Sequence, residues 1–245
     1  MTETPDLQIR RKSYRQSTDP AVLEQILADG WIAHVALVRD GLPIVLPFLY
    51  AVGDLDDGHG RQLLLHGSTA GGLFRDAGGT GVPVSVGVTH LDGLVLARSL
   101  NDSSANFRSA MIFGHAHAIP LELKRQALWI IGDHLLPGRR GEIRDMTAKE
   151  LAATQVLRVA LDHTSVKVRF DNVLGEAPDD GEDHSVWAGV IPVAVRAGEP
   201  VTSPGTDPTA VMCASVDIIR SRLDERAAAQ SEGLRRTSNS PPQPG

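Results

Sequence analysis

Apolar residues recur along this chain with two periods, and the shorter one dominates. Residues 31–38 (WIAHVALV) and 42–52 (LPIVLPFLYAV) are nearly unbroken apolar runs, and the Asp40-Gly41 pair between them is a primed-turn sequence, so together they predict a β-hairpin. Pro43 and Pro47 donate no ladder bond, which places the second strand at an edge or beside an irregular partner. Residues 61–66 predict a third strand after an acidic, Gly-rich loop at 53–60. Val84, Val86 and Val88 alternate with Ser85, Gly87 and Thr89, the period-two signature of a strand buried on one face. Leu91-Asp92-Gly93 reads as a turn into a strand at 94–100, and a polar loop at 101–105 precedes a long strand at 106–118. Further strands are expected at 156–161, 166–170 and 187–195.

The helical period is confined to fewer segments. Asp19-Pro20 opens a helix over 20–29 that ends at Gly30, since Asp caps free N–H groups and Pro fits the first helical position. Residues 69–77 predict a short helix stopped by Gly78-Gly79. Leu121, Leu128, Ile131 and Leu135 form an apolar stripe that stops at Pro137-Gly138. Thr147 and Glu150 make a capping box for a helix over 148–154, and Asp207-Pro208 opens a last helix to about Ala229. The Ser, Pro and Gln content that follows predicts a disordered tail over 230–245. The fold class is mainly β (α+β), an antiparallel barrel or sandwich with peripheral helices, in one domain over 1–229.

Composition narrows the picture. No apolar run in the 245 residues approaches the length of a membrane helix, and the polar N-terminal stretch lacks a secretory pattern, so a soluble cytoplasmic protein is expected. A formal charge of −6 argues against a nucleic-acid binder. The single cysteine, Cys213, excludes an internal disulfide framework and multi-cysteine zinc sites, and is read as a packing residue of the last helix.

Two segments carry candidate chemistry. At His66-Gly67-Ser68-Thr69 a strand hands over to a helix, bringing free N–H groups and two hydroxyls to a positive helix end, a pattern that holds anions; the plainer reading is that Ser68 only caps the helix. At Asn106-Phe107-Arg108-Ser109 the alternation sends Arg108 to the face opposite Phe107 and Ser109, where it reaches a phosphate or simply pairs with an acid. His115 and His117 share a strand face, but no third ligand of diagnostic spacing accompanies them, so no metal site is assigned. Gly67-Ser68-Thr69-Ala70-Gly71 puts Thr69 where a nucleophile elbow needs its nucleophile and lacks the βαβ context, which argues against a hydrolase. Neither a Walker A sequence nor a dinucleotide fingerprint is present.

Taken together, LLLHGSTAG, THLDGLVLARS, NFRSAMIFG, LLPGR, TAKELAATQVLRVAL, SVKVRF and VWAGVIPV resemble, in order, the flavin-nucleotide-binding branch of the pyridoxamine 5′-phosphate oxidase-like superfamily, which includes relatives of the nitroimidazole-resistance reductases. The resemblance spans nearly everything from Arg10 to about Val195. It implies a split β-barrel homodimer that binds FMN at the subunit interface. By that likeness His66, Gly67, Ser68 and Thr69 line the phosphate and ribityl region, Asn106, Arg108 and Ser109 contact the cofactor from the next strand, and Val45, Leu46 and Pro47 lie along the isoalloxazine ring. His66 becomes the proton donor or substrate contact, and Trp187 a wall of the pocket or a core aromatic.

The sequence departs from that pattern at two places. Gly71 and Gly72 stand where relatives carry serine and arginine, leaving Arg75 as the basic substitute one turn later, and Asp102 to Phe107 replaces a histidine- and tyrosine-bearing stretch. The implied function is an FMN-dependent oxidoreductase that takes a hydride from NAD(P)H and reduces a small organic acceptor. The alternatives are a flavin-binding protein without turnover, for which the altered 101–105 loop speaks, and a haem- or deazaflavin-binding split barrel.

Overall fold

The computed structural model describes residues 7–77, 80–171 and 183–238, with side chains as far as Gly233 in the last helix. The chain falls into two compact units, one of Met1–Thr89 with Ser109–Lys167 and the other of His90–Arg108 with Val168–Gly245.

In the first unit, helix α1 (Pro20–Asp29) starts on Asp19, whose side chain accepts from the Ala21 N–H at 2.9 Å, and stops at Gly30 as expected. A two-residue strand β1 (Gln16–Ser17) precedes it. Strands β2 (Ile32–Arg39) and β3 (Leu42–Asp54) pair antiparallel through the predicted tight turn, with Asp40 at φ 51° and Gly41 at φ 76°. Strand β4 (Arg61–Ser68) pairs with β3 and with β7 (Thr154–Ala160). Strands β5 (Val82–Leu96) and β6 (Ser104–Ala118) are long enough to pass from the first unit into the second, and β8 (Thr164–Arg169) pairs with β1. The strand order is β1-β8-β6-β7-β4-β3-β2-β5, and a further β5–β6 pairing closes the circuit, as a barrel requires.

Register assigns the faces. Val35 stands opposite Leu46 and Val86, Leu65 opposite Tyr50 and Leu157, and Leu63 opposite Val159; most of these side chains are fully buried and form the inner core. The Tyr50 hydroxyl, enclosed there, donates to the Leu27 carbonyl at 2.8 Å. The outer face of β3, β4 and β7 carries Ala51, Leu64 and Val156, which a helix α3 (Lys124–Leu135) covers with Ala127 and Ile131. Helix α4 (Ala148–Ala153) begins on the predicted Thr147–Glu150 capping box. The two prolines of β3 fall where that strand pairs with β2 alone, since β4 joins only from Tyr50 onward; the missing donors are therefore tolerated as at an edge.

The structure departs from the sequence expectations in definite places. The helix expected over 69–77 is only α2 (Gly72–Asp76), because Gly67 and Ser68 continue β4 and pair with Gln155 and Thr154; its expected stop at Gly78-Gly79 lies outside the described residues. The apolar stripe begins with a 3-10 turn over Leu121–Leu123 before α3. In the second unit the expected turn at Leu91-Asp92-Gly93 is absent: β5 runs straight through, pairing Gly93 to Leu96 with strand β9 (Gly189–Pro192), which is shorter than expected. The last helix, α5 (Ala214–Ser238), starts after Asp207-Pro208, where the Asp207 carboxylate instead accepts from the Thr209 N–H and hydroxyl. It also runs through the first residues of the expected tail, and Gln230 on it donates to Asp92 at 2.8 Å and to the Val193 carbonyl at 2.6 Å. Half-buried Cys213 immediately precedes α5. No helix of the described residues is long and apolar enough to cross a membrane.

Candidate functional site

Alternation along β4 sends His66 to the face of Leu64, directly opposite Val156, so it sits on the outer face at the margin of the surface that α3 covers. Its Nδ1 is enclosed and has no hydrogen-bond partner. Burial alone lowers its pKa below the ordinary value of 6.5, so the imidazole is neutral at neutral pH. Such a ring is a hydrogen-bonding group or a ligand rather than a standing imidazolium donor, which narrows the proton-donor expectation.

That shift has a sign that can be measured. The unfolded chain takes up the proton first as pH falls, so His66 contributes its full share of stability above about pH 6.5 and loses it as pH falls toward the lower folded value. Replacing His66 with Gln is expected to flatten the fall in urea midpoint between about pH 7 and pH 5 relative to the parent chain. Parallel pH profiles of the two proteins would contradict the assignment.

Beyond His66 the chain runs through Gly67, Ser68 and Thr69 into a tight turn. The Ser68 hydroxyl accepts from the Ala70 N–H at 3.2 Å and the Ser68 carbonyl from the Gly71 N–H at 2.9 Å, while the Thr69 N–H donates to the Ala153 carbonyl at 3.0 Å. Ser68 therefore shapes a turn and does not cap α2, whose N-cap is Gly71. Both hydroxyl side chains are exposed. Gly67 has the Phe74 ring where a Cβ would stand, 2.3 Å from its nearest carbon, and Phe74 meets Phe48 edge-on with centroids 5.4 Å apart. An aromatic plug thus ties β3, β4 and α2 together below the turn.

Strand β3 separates the three residues expected beside the cofactor ring. Val45 and Pro47 project outward and are exposed, whereas Leu46, opposite Val35, projects inward. Leu49 precedes the Tyr50–Leu65 pair as His66 follows it, so both point to the same outer face. The register then aligns Ile32 with Leu49, His34 with Pro47, Ala36 with Val45 and Val38 with Pro43, giving a mostly apolar face, interrupted by exposed His34, that continues to His66. The structure brings His66, Val45 and Pro47 onto one surface.

The remaining expected residues have other commitments. Arg75 is exposed, with its Nε 3.5 Å from Asp76. The Ser109 hydroxyl lies 3.4 Å from the Lys167 carbonyl. In the second unit Asn106 is fully buried and exchanges two hydrogen bonds with the Asp171 backbone, at 2.8 and 3.1 Å. Arg108 grips the buried Asp92 carboxylate through Nε and Nη2, both at 3.0 Å, so its guanidinium is engaged in an ion pair of the kind the plainer sequence reading described. Trp187 is largely exposed and lies over Gly189, a Cβ on which would stand 2.7 Å from the indole, so it is not a core aromatic.

One basic residue near the turn was missed in the sequence. Arg39, the last residue of β2, lays its guanidinium over Gly72, with Nη2 2.4 Å from the position of a Cβ there. No sequence periodicity reports this contact, although two adjacent glycines at a helix start are a signal that something packs closely against them. His115 and His117 have ring centroids 6.1 Å apart and line a cavity of about 630 Å³ with His59, Gln62, Arg158 and His163. Among the described residues no group of three or more potential ligands is arranged to hold a metal ion.

A family model described as pyridoxamine 5′-phosphate oxidase matches residues 19–168. Among solved structures, the FAD and heme binding protein from Mycobacterium smegmatis superposes with a TM-score of 0.73 at 37% identity, over 84% of this chain and 97% of that one. The flavocytochrome Anf3 from Azotobacter vinelandii gives a TM-score of 0.73 at 32% identity, over 86% of this chain and 95% of that one. No curated protein matches the sequence.

Proposed function

Because the chain belongs to the pyridoxamine 5′-phosphate oxidase family, we propose that it is a flavin-binding redox protein whose site is the outer face around His66 and the turn that follows it. The observation that carries this reading is the placement of His66, with an enclosed and unpartnered Nδ1, on the same surface as exposed Val45 and Pro47 and next to the exposed hydroxyls of Ser68 and Thr69. An apolar strip supports a planar ring, and hydroxyls in a tight turn suit its sugar-phosphate tail.

A bound flavin would supply the electron chemistry between NAD(P)H and a small organic acceptor. The chain's own part is to hold and orient it. Val45, Pro47 and Leu49 exclude water from one side, while neutral His66 offers a hydrogen bond or takes a proton at Nδ1. A second copy of the chain covers the apolar face of Ile32, Val38, Val45 and Leu49, which is too extensive to leave to solvent, and encloses the cofactor between subunits. The sequence pointed to FMN; the Mycobacterium smegmatis protein is described as binding FAD, and the mass of the released flavin decides between them.

His66 favours a second reading, in which its Nδ1 serves haem rather than the flavin. A neutral histidine with an enclosed, unpartnered ring nitrogen would hold haem iron, and a flavin-and-haem protein is among the well-matched structures.

Absorption-detected sedimentation of the freshly purified protein tests both readings. Flavin bands are expected to travel with a dimer, and a Soret band, where present, to vanish in His66→Ala while the flavin bands remain. A colourless protein that stays colourless after incubation with FMN or FAD would overturn the flavin reading, and a Soret band that survives His66→Ala would overturn the ligand assignment.

A further inference from the structure

Gly72 lacks a side chain, and the space is taken by another residue. The Nη2, Cζ and Nη1 atoms of Arg39 lie 2.4, 2.6 and 2.6 Å from where a Cβ of residue 72 would be, so any side chain there would expel the guanidinium. Arg39 reaches this place from the end of β2, just before the Asp40-Gly41 turn. Its Nη2 is fully enclosed and makes no hydrogen bond, and the Asp76 carboxylate stands off at 3.5 Å.

An enclosed guanidinium N–H whose nearest carboxylate stands too far for a hydrogen bond is poorly satisfied, and this one lies beside a turn bearing two exposed hydroxyls. Guanidinium groups suit oxyanions with several acceptor oxygens, which they bind through paired N–H groups. Asp76 is a weak competitor, because both members of that pair are partly exposed and the separation is long. Arg75, the substitute that the sequence offered, is far more exposed.

We infer that Arg39 clamps the phosphate of the bound flavin beside Ser68 and Thr69. This rests on the flavin reading above. It makes Arg39 a determinant of phosphorylated over unphosphorylated flavin, with Gly72 as the residue that makes room for it.

The test is fluorescence titration of the full chain, freed of flavin, with riboflavin, FMN and FAD. Arg39→Ala is expected to weaken FMN and FAD binding ten- to a hundredfold and to leave riboflavin unchanged, as loss of a charge-assisted hydrogen bond requires. Asp76→Asn, which removes the competing carboxylate, is expected to tighten FMN two- to fivefold. An equal loss for riboflavin, no loss for FMN, or weaker FMN binding in Asp76→Asn would each overturn the assignment. Should Arg39→Ala fail to fold, Arg39→Gln carries the same test. A parent chain that binds none of the three flavins sinks the underlying reading too, whereas a parent that binds while the variants behave identically sinks Arg39 alone.

Discussion

Replacing Asp92 with alanine is expected to destabilise the protein by about 3 kcal/mol, because it leaves a largely buried guanidinium without its counter-charge. Asp92 is fully buried, and its two oxygens receive Arg108 Nε, Arg108 Nη2 and Gln230 Nε2. Removing it also takes away one of the two acceptors of Gln230 on α5, leaving only the Val193 carbonyl. The loss should show as a lower urea midpoint, followed by intrinsic tryptophan fluorescence. Asp92→Asn keeps the shape and an acceptor oxygen and should cost less. A midpoint equal to the parent's in Asp92→Ala would show that the ion pair contributes nothing.

The same carboxylate explains why part of the fold was illegible in the sequence. Leu-Asp-Gly is a common turn signal, and nothing local says that Asp92 is buried inside a continuous strand opposite an arginine 16 residues further on. The hairpin at Asp40-Gly41, the Asp19 cap and the Thr147–Glu150 capping box were legible because each is settled by its own few residues. The start of α5 was missed for the opposite reason: Asp207 has the chemistry of a cap but spends it on a two-residue turn.

The site divides in the same way. His66 and its neighbours stood out because a strand end is written in consecutive residues, whereas Val45, Leu46 and Pro47 were grouped on one side and alternation along β3 turns Leu46 inward, away from the other two. The cations were only half legible. An acid partner for Arg108 was one of two open readings, but which acid could not be named while Asp92 was assigned to a turn, and Arg39 drew no reading at all because its neighbour, Gly72, is marked only by the absence of a side chain. Ion pairs and close packing join residues distant along the chain, and hydrophobic periodicity carries no record of them.

Gly67 is the place where fold and site constrain one another, and Gly67→Val is expected to cost about 3 kcal/mol, the upper end for overpacking a filled space. Its backbone is ordinary strand, paired with Gln155, so the penalty comes from contact alone. A Cβ would stand 2.3, 2.6 and 2.9 Å from three carbons of the Phe74 ring, which cannot retreat easily because it is nearly buried and braced edge-on by Phe48. If that clash is the cause, trimming the ring should relieve it, so the double variant Gly67→Val with Phe74→Leu should be more stable than the sum of the single losses allows. Urea midpoints for the four proteins of the cycle measure the coupling. Strictly additive losses would mean that Phe74 is not what keeps residue 67 a glycine. A coupled result would identify the aromatic plug as what fixes the turn carrying Ser68 and Thr69, and weakened flavin binding should then be restored in the double variant along with stability.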